Sequence, residues 1–403
     1  MTNHTKVAQP GIATEIHWTE NGQLRIARWR SEKGISPHKR VVVADEAMSA
    51  DIAYRLACEG TALLWRGDFQ NARQMLLAIG RRADEKSRKA SKRGVSNANP
   101  DTPLTEAFHK HRLAQSQRAR TLGMLLLPLS SDYVIPLRRA PDLRLACAEA
   151  YGPIENDPVA GESLVSMREL LGLIGAHEWR KKGVEVAALN DRIHPYYGVF
   201  APVRCEYVGL VQEMPFPAGV SSLPLAFDIG TGTGVLAAVL ARRGVSRVIA
   251  TDMDARALAC AEENMVRLNL TAQVQIAKAD LFPEGRAPLI VCNPPWIPAR
   301  PSSPIEAAIF DPDSHMLRGF IAGLTTHLEP GGEGWLILSD IAEHLGLRSR
   351  DVLLDHFARA GLVVIDRKDV RPSHPRVADA SDPLHAARAA EVTSLWRLGV
   401  AKA

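Results

Sequence analysis

The chain has 403 residues, 46% of them hydrophobic and 23% charged, with a net charge of +4; that length and balance predict a soluble protein of two domains. The longest compact apolar run, Met124–Leu129, falls far short of the roughly 20 residues that span a bilayer, and the first residues lack an apolar secretory core, so a cytoplasmic protein with no membrane partner is expected. Five scattered cysteines (Cys58, Cys147, Cys205, Cys260, Cys292) show no C-x-x-C spacing, which argues against a disulfide framework or a zinc site and for reduced thiols.

Along the chain, residues 1–22 read as polar and irregular, and 22–30 (GQLRIARWR) and 40–46 (RVVVADE) as short strands. A helical pattern then covers 48–93, broken near Gly60 and Gly67. Residues 94–103 are a loop by composition. Helix resumes from Pro103, turns towards a strand near Leu125, and returns in two further helices, the second over 163–183. Residues 1–185 are read as an α+β N-terminal domain that recognises substrate. Within 81–120, eleven basic residues face four acidic ones, a local excess of +7. Such a stretch fits either RNA phosphates or a solvated helix end.

From about residue 223 the pattern becomes regular. Strands are expected at LPLAFDIG, RVIATD (247–252), QVQIAKAD (273–280), PLIVCN (288–293), EGWLILSD (333–340), LVVIDRKDV (362–370) and EVTSLWRLGVA (391–401). Helices fall between them, except between the third and fourth strands and before the last strand. This alternation predicts an α/β fold with a seven-stranded, mostly parallel Rossmann-like sheet and an antiparallel C-terminal strand, over residues 186–403.

The turn after the first of these strands reads AFDIGTGTGVLAA. Gly230, Gly232 and Gly234 let the backbone turn sharply and approach a ligand beyond the carboxyl ends of the strands. A dinucleotide fingerprint wants a glycine where Val235 stands. Asp228, just before the glycines, repels pyrophosphate and suits a cation. Asp252 ends the second strand, where an acid accepts hydrogen bonds from ribose hydroxyls, and Asp280 ends the third, placed for a base-edge amine. A cationic nucleoside without phosphate meets these requirements, and S-adenosylmethionine is one.

In order, DIGTGTGVLAAVLA, ATDMDARALACAEENMVRLN, KADLF and IVCNPPW resemble the class I S-adenosylmethionine-dependent methyltransferases. The likeness is to their "small-domain" group, which holds the release-factor glutamine N5-methyltransferases and several RNA guanine N2-methyltransferases. It covers roughly residues 195–345. The resemblance implies a donor site of Asp228, Gly230, Thr231, Gly232, Gly234, Asp252, Met253, Asp280, Leu281 and Asn293. It also implies an acceptor site of Asn293, Pro294, Pro295 and Trp296, in which the Asn293 side-chain carbonyl and the Pro294 backbone carbonyl accept both N–H bonds of a planar nitrogen. The two prolines fix φ, so the acceptors stand ready, and Trp296 offers a face for stacking. No general base and no metal are expected.

The glutamine enzymes carry a tyrosine after N-P-P and a small helical N-terminal domain; here Trp296 follows, and nearly 190 residues precede the fold. The continuation Ile297-Pro298 is closer to the protein-directed group, whereas the N-terminal length and the basic stretch lean towards RNA. The expected acceptor is a macromolecule: a protein glutamine, as in a release factor, with an RNA base of the guanine N2 type as the alternative. A small molecule and a silent donor-binding module are further alternatives, and DNA is not expected. Secondary candidates are Tyr196, Tyr197, Phe200 and Arg204 beside the donor pocket, and the loop 371–388 over the acceptor. His374 and His385 in that loop read as ordinary histidines.

Overall fold

The structure, a computed structural model, describes residues 15–95, 103–154, 161–203, 205–302, 304–372, 379 and 382–401. These fall into two compact units, one drawn from the stretches 1–100 and 112–177, the other from 101–111 and 178–403.

The first unit is built on six strands: β1 (Glu15–Glu20), β2 (Gln23–Arg30), β3 (Val41–Ala44), β4 (Ala62–Trp65), β5 (Leu125–Leu129) and β6 (Ser163–Ser166), in the spatial order β1-β2-β6-β5-β4-β3. Strand β1 lies in the segment that reads as irregular, and pairs antiparallel with β2. Within the expected helical stretch, the helix Ala50–Cys58 ends before β4, and the helix Phe69–Val95 begins after it. All four residues of β4 are buried, and Gly60, at φ +81°, turns the chain into it. A four-residue apolar run carries no periodicity that separates a buried strand from a helical turn. The same ambiguity hides β6, which precedes the helix Met167–Lys182.

The second unit opens with a small hairpin, β7 (Val184–Val186) and β8 (Asp191–Ile193). Its main sheet contains β9 (Leu225–Ile229), β10 (Arg247–Asp252), β11 (Val274–Lys278), β12 (Ala287–Cys292), β13 (Leu328–Ser339), β14 (Leu362–Val370) and β15 (Thr393–Val400). Their order is β11-β10-β9-β12-β13-β15-β14. The first five are parallel to one another, and β15 runs antiparallel between β13 and β14. Every residue of β12 is buried, as a strand covered on both faces must be. The helix Val235–Arg242 is apolar all round and buried from Val235 to Ala241, so it is enclosed between sheet and neighbouring helices.

The chain leaves β9 in one direction along the sheet, through β10 and β11, and returns to β9's other side at β12. Beyond the carboxyl ends of β9 and β12 the connections diverge and open a crevice, the usual ligand position in such sheets. Both signature segments, the glycine turn and N-P-P-W, leave the sheet there.

Candidate active site

Gly230, Gly232 and Gly234 take φ of +72°, +56° and +82°, the left-handed region that glycine enters at little cost. The turn is pinned to β10: the N–H groups of Gly230 and Thr231 both donate to the Thr251 carbonyl at 2.9 Å. Asp228, 1% exposed, holds it from below. Its Oδ2 accepts from the Thr231 hydroxyl at 2.6 Å and from the Ala237 N–H at 3.1 Å. The contacts of this carboxylate are thus with the loop and the first turn of the helix. Burial lifts its pKa from 3.8 to about 6, against the two hydrogen bonds, and the charge of Asp252 adds to the rise.

Asp252 stands at the end of β10. Its Oδ2 accepts from Gly232 N–H and its Oδ1 from Asp254 N–H, both at 3.0 Å. The Met253 N–H also donates to this carboxylate, and a carboxylate offers about four lone-pair sites, so one remains for a ligand's hydroxyl group. Burial raises this carboxyl as well. A Cβ built on Gly232 would meet nothing within 4 Å; open space lies in front of this turn. Met253, next in the chain, is 61% exposed. Asp280 is exposed just beyond β11, and Leu281 turns at φ +69°, its carbonyl accepting from the Thr251 hydroxyl at 2.6 Å. The ends of β10 and β11 are thereby tied together.

In the register of the sheet Ile229 pairs with Cys292, so Gly230 and Asn293 leave adjacent strands side by side. Pro294 is buried; Asn293, Pro295 and Trp296 are half-buried. The Trp296 indole N–H donates to Asn293 Oδ1 at 2.9 Å, and its ring packs against three apolar clusters of this unit. Ile297 then pairs with Phe310, farther along the chain: its N–H donates to Ile309 O at 3.1 Å, and its carbonyl accepts from Asp311 N–H at 2.9 Å. The buried Asp311 carboxylate accepts from Met316 N–H at 2.9 Å and Leu317 N–H at 3.4 Å, capping the helix His315–His327. Met316 closes the circuit, because its Cε lies 2.3 Å from where a Cβ on Gly230 would stand. Sequence reasoning did not single out Asp311 or Met316. An acid just before Pro312, three residues ahead of a helix, was the available signal.

The segment before the fold is bound to this frame by Asn264, which is fully buried. Its Oδ1 accepts from His194 N–H at 2.9 Å, and its amide donates to Thr233 O at 3.0 Å and His194 O at 3.3 Å. Tyr196 donates to Glu263, which also takes Arg180 at 2.6 Å, and Arg256 sits 5.5 Å over the ring of Tyr197. Phe200 is half-buried. Tyr196 is therefore engaged with helix side chains, an arrangement the residue types alone did not distinguish from a pocket wall. Arg204 and His374 lie outside the described residues. The end of the 371–388 loop reaches the acceptor segment: Leu384 and Ala387 share a cluster with Ile341 and Leu345, against which Trp296 and Ile297 pack.

In the basic stretch, Arg82 pairs with Asp51 at 2.7 Å, Lys110 with Glu106 at 2.6 Å, and Arg118 with Asp84 at 2.6 Å. The side chains of Arg88, Lys89, Lys92 and Arg93 lie outside the described residues. Among the described residues no group of three or more His, Cys, Asp or Glu is arranged to hold a metal, and no helix is long and apolar enough to cross a membrane.

Residues 210–368 match the family described as methyltransferase small domain. The chain is similar to a release factor glutamine methyltransferase of Cereibacter sphaeroides, 33% identical over 40% of this chain and 64% of that one. It is similar to a ribosomal protein L11 methyltransferase of Pelotomaculum thermopropionicum, 37% identical over 22% of this chain and 28% of that one. It also resembles a tRNA1(Val) (adenine(37)-N6)-methyltransferase of Pedobacter heparinus, 29% identical over 34% of this chain and 65% of that one. The chain thus spans less than two thirds of each of these relatives. The matched stretch contains the glycine turn, both acids and the N-P-P-W segment, at the ends of strands β9 to β12. The likeness to the methyltransferase small domain thus runs over residues 210–368.

Proposed function

We propose that this protein is an S-adenosylmethionine-dependent N-methyltransferase whose acceptor is a glutamine side-chain amide of another protein. The observation that carries the reading is the pairing of Ile229 with Cys292, which sets Asn293 and Pro294 beside the glycine turn and its two acids. The donor site fits the group it would hold. The turn has open space before Gly232, Asp252 keeps a lone-pair site, and two carboxylates whose ionised forms are disfavoured by burial are stabilised by a cation. Asp252 would hold a ribose hydroxyl, with Met253, Asp280 and Leu281 around the base. When bound, S-adenosylmethionine supplies a methyl carbon whose C–S bond breaks, its electron pair passing to sulfur, as the acceptor nitrogen's lone pair forms the N–C bond.

This chain's own residues prepare the nitrogen. An amide nitrogen is planar and weakly nucleophilic because its lone pair is conjugated. Carbonyl acceptors on both N–H bonds, Asn293 Oδ1 and Pro294 O, pull it out of plane and aim the lone pair. The two prolines and the Ile297–Phe310 pairing fix those acceptors before the acceptor arrives, so the site acts through positioning and preset dipoles. The surplus proton on nitrogen leaves to water after transfer, and no side chain is required to take it.

The similarity to the glutamine methyltransferase and the continuation Ile297-Pro298 support a protein acceptor. The test is transfer from radiolabelled S-adenosylmethionine into a lysate lacking the endogenous protein, with products divided by protease and by ribonuclease. Label lost to protease and recovered as N5-methylglutamine is expected. Label lost to ribonuclease would replace this reading with an RNA base.

A further inference from the structure

Trp296 does more in this molecule than present a ring. Its N–H lies 2.9 Å from Asn293 Oδ1, an ordinary hydrogen-bond length, and its ring is wedged among three apolar clusters. The indole nitrogen is a donor only, and an amide oxygen has two lone pairs. One lone pair of Oδ1 is therefore taken by the indole and one is left over.

An asparagine amide has nearly the same shape in its two flipped states, which exchange Oδ1 and Nδ2. Packing does not choose between them; hydrogen bonding does. In the flipped state the Asn293 NH2 would face the indole N–H, donor against donor, and would present a donor to the acceptor's N–H as well. We infer that Trp296 is a positioning residue whose indole N–H locks the Asn293 amide so that its oxygen's free lone pair faces the methyl acceptor. The inference rests on the proposed role of Asn293. It assigns to the tryptophan's nitrogen a function that a phenylalanine ring lacks.

The decisive variant replaces Trp296 by 3-benzothienylalanine, introduced at an amber codon. That residue keeps the bicyclic shape and puts sulfur where the N–H was. With the N–H lost, turnover on the labelled acceptor falls roughly 10-fold, the worth of one hydrogen bond, while donor affinity and melting temperature stay near the parent's. A Trp296→Phe protein, measured in parallel, shows the same loss if the bulky analogue is poorly incorporated. Unchanged turnover in both would overturn the inference and leave the ring as packing or a stacking surface.

Two readouts need no acceptor. The Trp296 indole proton should exchange with water slowly in the parent and quickly in Asn293→Ala, and the Asn293 side-chain amide should lose order in Trp296→Phe by nitrogen-15 relaxation. Exchange at the rate of a free indole in the parent, or an equally ordered amide in the variant, would also overturn it. A parent that labels no acceptor counts against the proposed transfer, and these two readouts then decide the lock by themselves.

Discussion

Asp252→Ala separates ligand binding from folding. In the parent, the carboxylate accepts from Gly232 N–H, Asp254 N–H and Met253 N–H, and its remaining lone-pair site is assigned to ribose. Hydrogen bonds to a charged acceptor contribute about 1.5–3 kcal/mol, so removing the carboxylate should weaken donor binding roughly 10- to 150-fold. The effect on folding has a different sign. Burial disfavours the ionised Asp252, so the alanine protein sheds an electrostatic cost, and water replaces the acceptor of the N–H groups it held near the surface. Its melting temperature without donor should match the parent's or exceed it. Calorimetric titration with S-adenosylmethionine and S-adenosylhomocysteine at pH 7.5, beside thermal unfolding, measures both quantities. Donor affinity within twofold of the parent's would remove Asp252 from the site. Affinity and melting temperature falling together would assign the effect to a collapsed loop.

Asn293→Ala should abolish transfer and leave donor affinity within a fewfold of the parent's, because that side chain acts on the acceptor; retained turnover refutes the mechanism. For Asp228, the folded pKa of about 6 lies above the ordinary 3.8, so its stabilising contribution is full below about pH 3.8 and is lost as pH rises through 6. About 2 units correspond to about 3 kcal/mol, so Asp228→Asn should gain that much stability relative to the parent between pH 4 and pH 7.5 in paired urea titrations; parallel curves for the two proteins contradict it. The glycines should divide by what faces them. A methyl at Gly234 meets Met265 at 2.9 Å and Ala261 at 3.3 Å, whereas one at Gly232 meets nothing. Both alanines should cost about 1–2 kcal/mol for the left-handed backbone, Gly234→Ala should cost more because of its two neighbours, and Gly232→Ala should also cost donor affinity; a larger stability loss at Gly232 than at Gly234 in unfolding would refute this assignment.

The second unit was legible in the sequence because its strands and helices repeat a local pattern, and each motif follows directly from a strand end. Gly230, Asp252 and Asn293 stand within one or two residues of those ends, so placing the strands placed them. The first unit resisted for a local reason: β4 and β6 have four residues each, too few to show a period. Contacts made across the chain were also out of reach. Met316 reaches back 86 positions to Gly230, and the indole of Trp296 turns towards Asn293 rather than outward. Nothing in a residue's own neighbourhood records such a direction. Asp228 shows the same limit, since its position was legible and its inward-facing contacts were not.

The hydrogen bonds of Asn264 to His194 and Thr233 also set where this domain can be cut. The family likeness begins at residue 210, but the side chain that supports Thr233 in the glycine turn also carries both backbone groups of His194. A fragment starting at 210 would strip that amide of its oxygen's donor and of one acceptor, and would uncover the side chain that supports Thr233. The smallest piece that keeps the turn in shape therefore starts upstream of β8, and the stretch that looks like a leader to the fold belongs to its foundations.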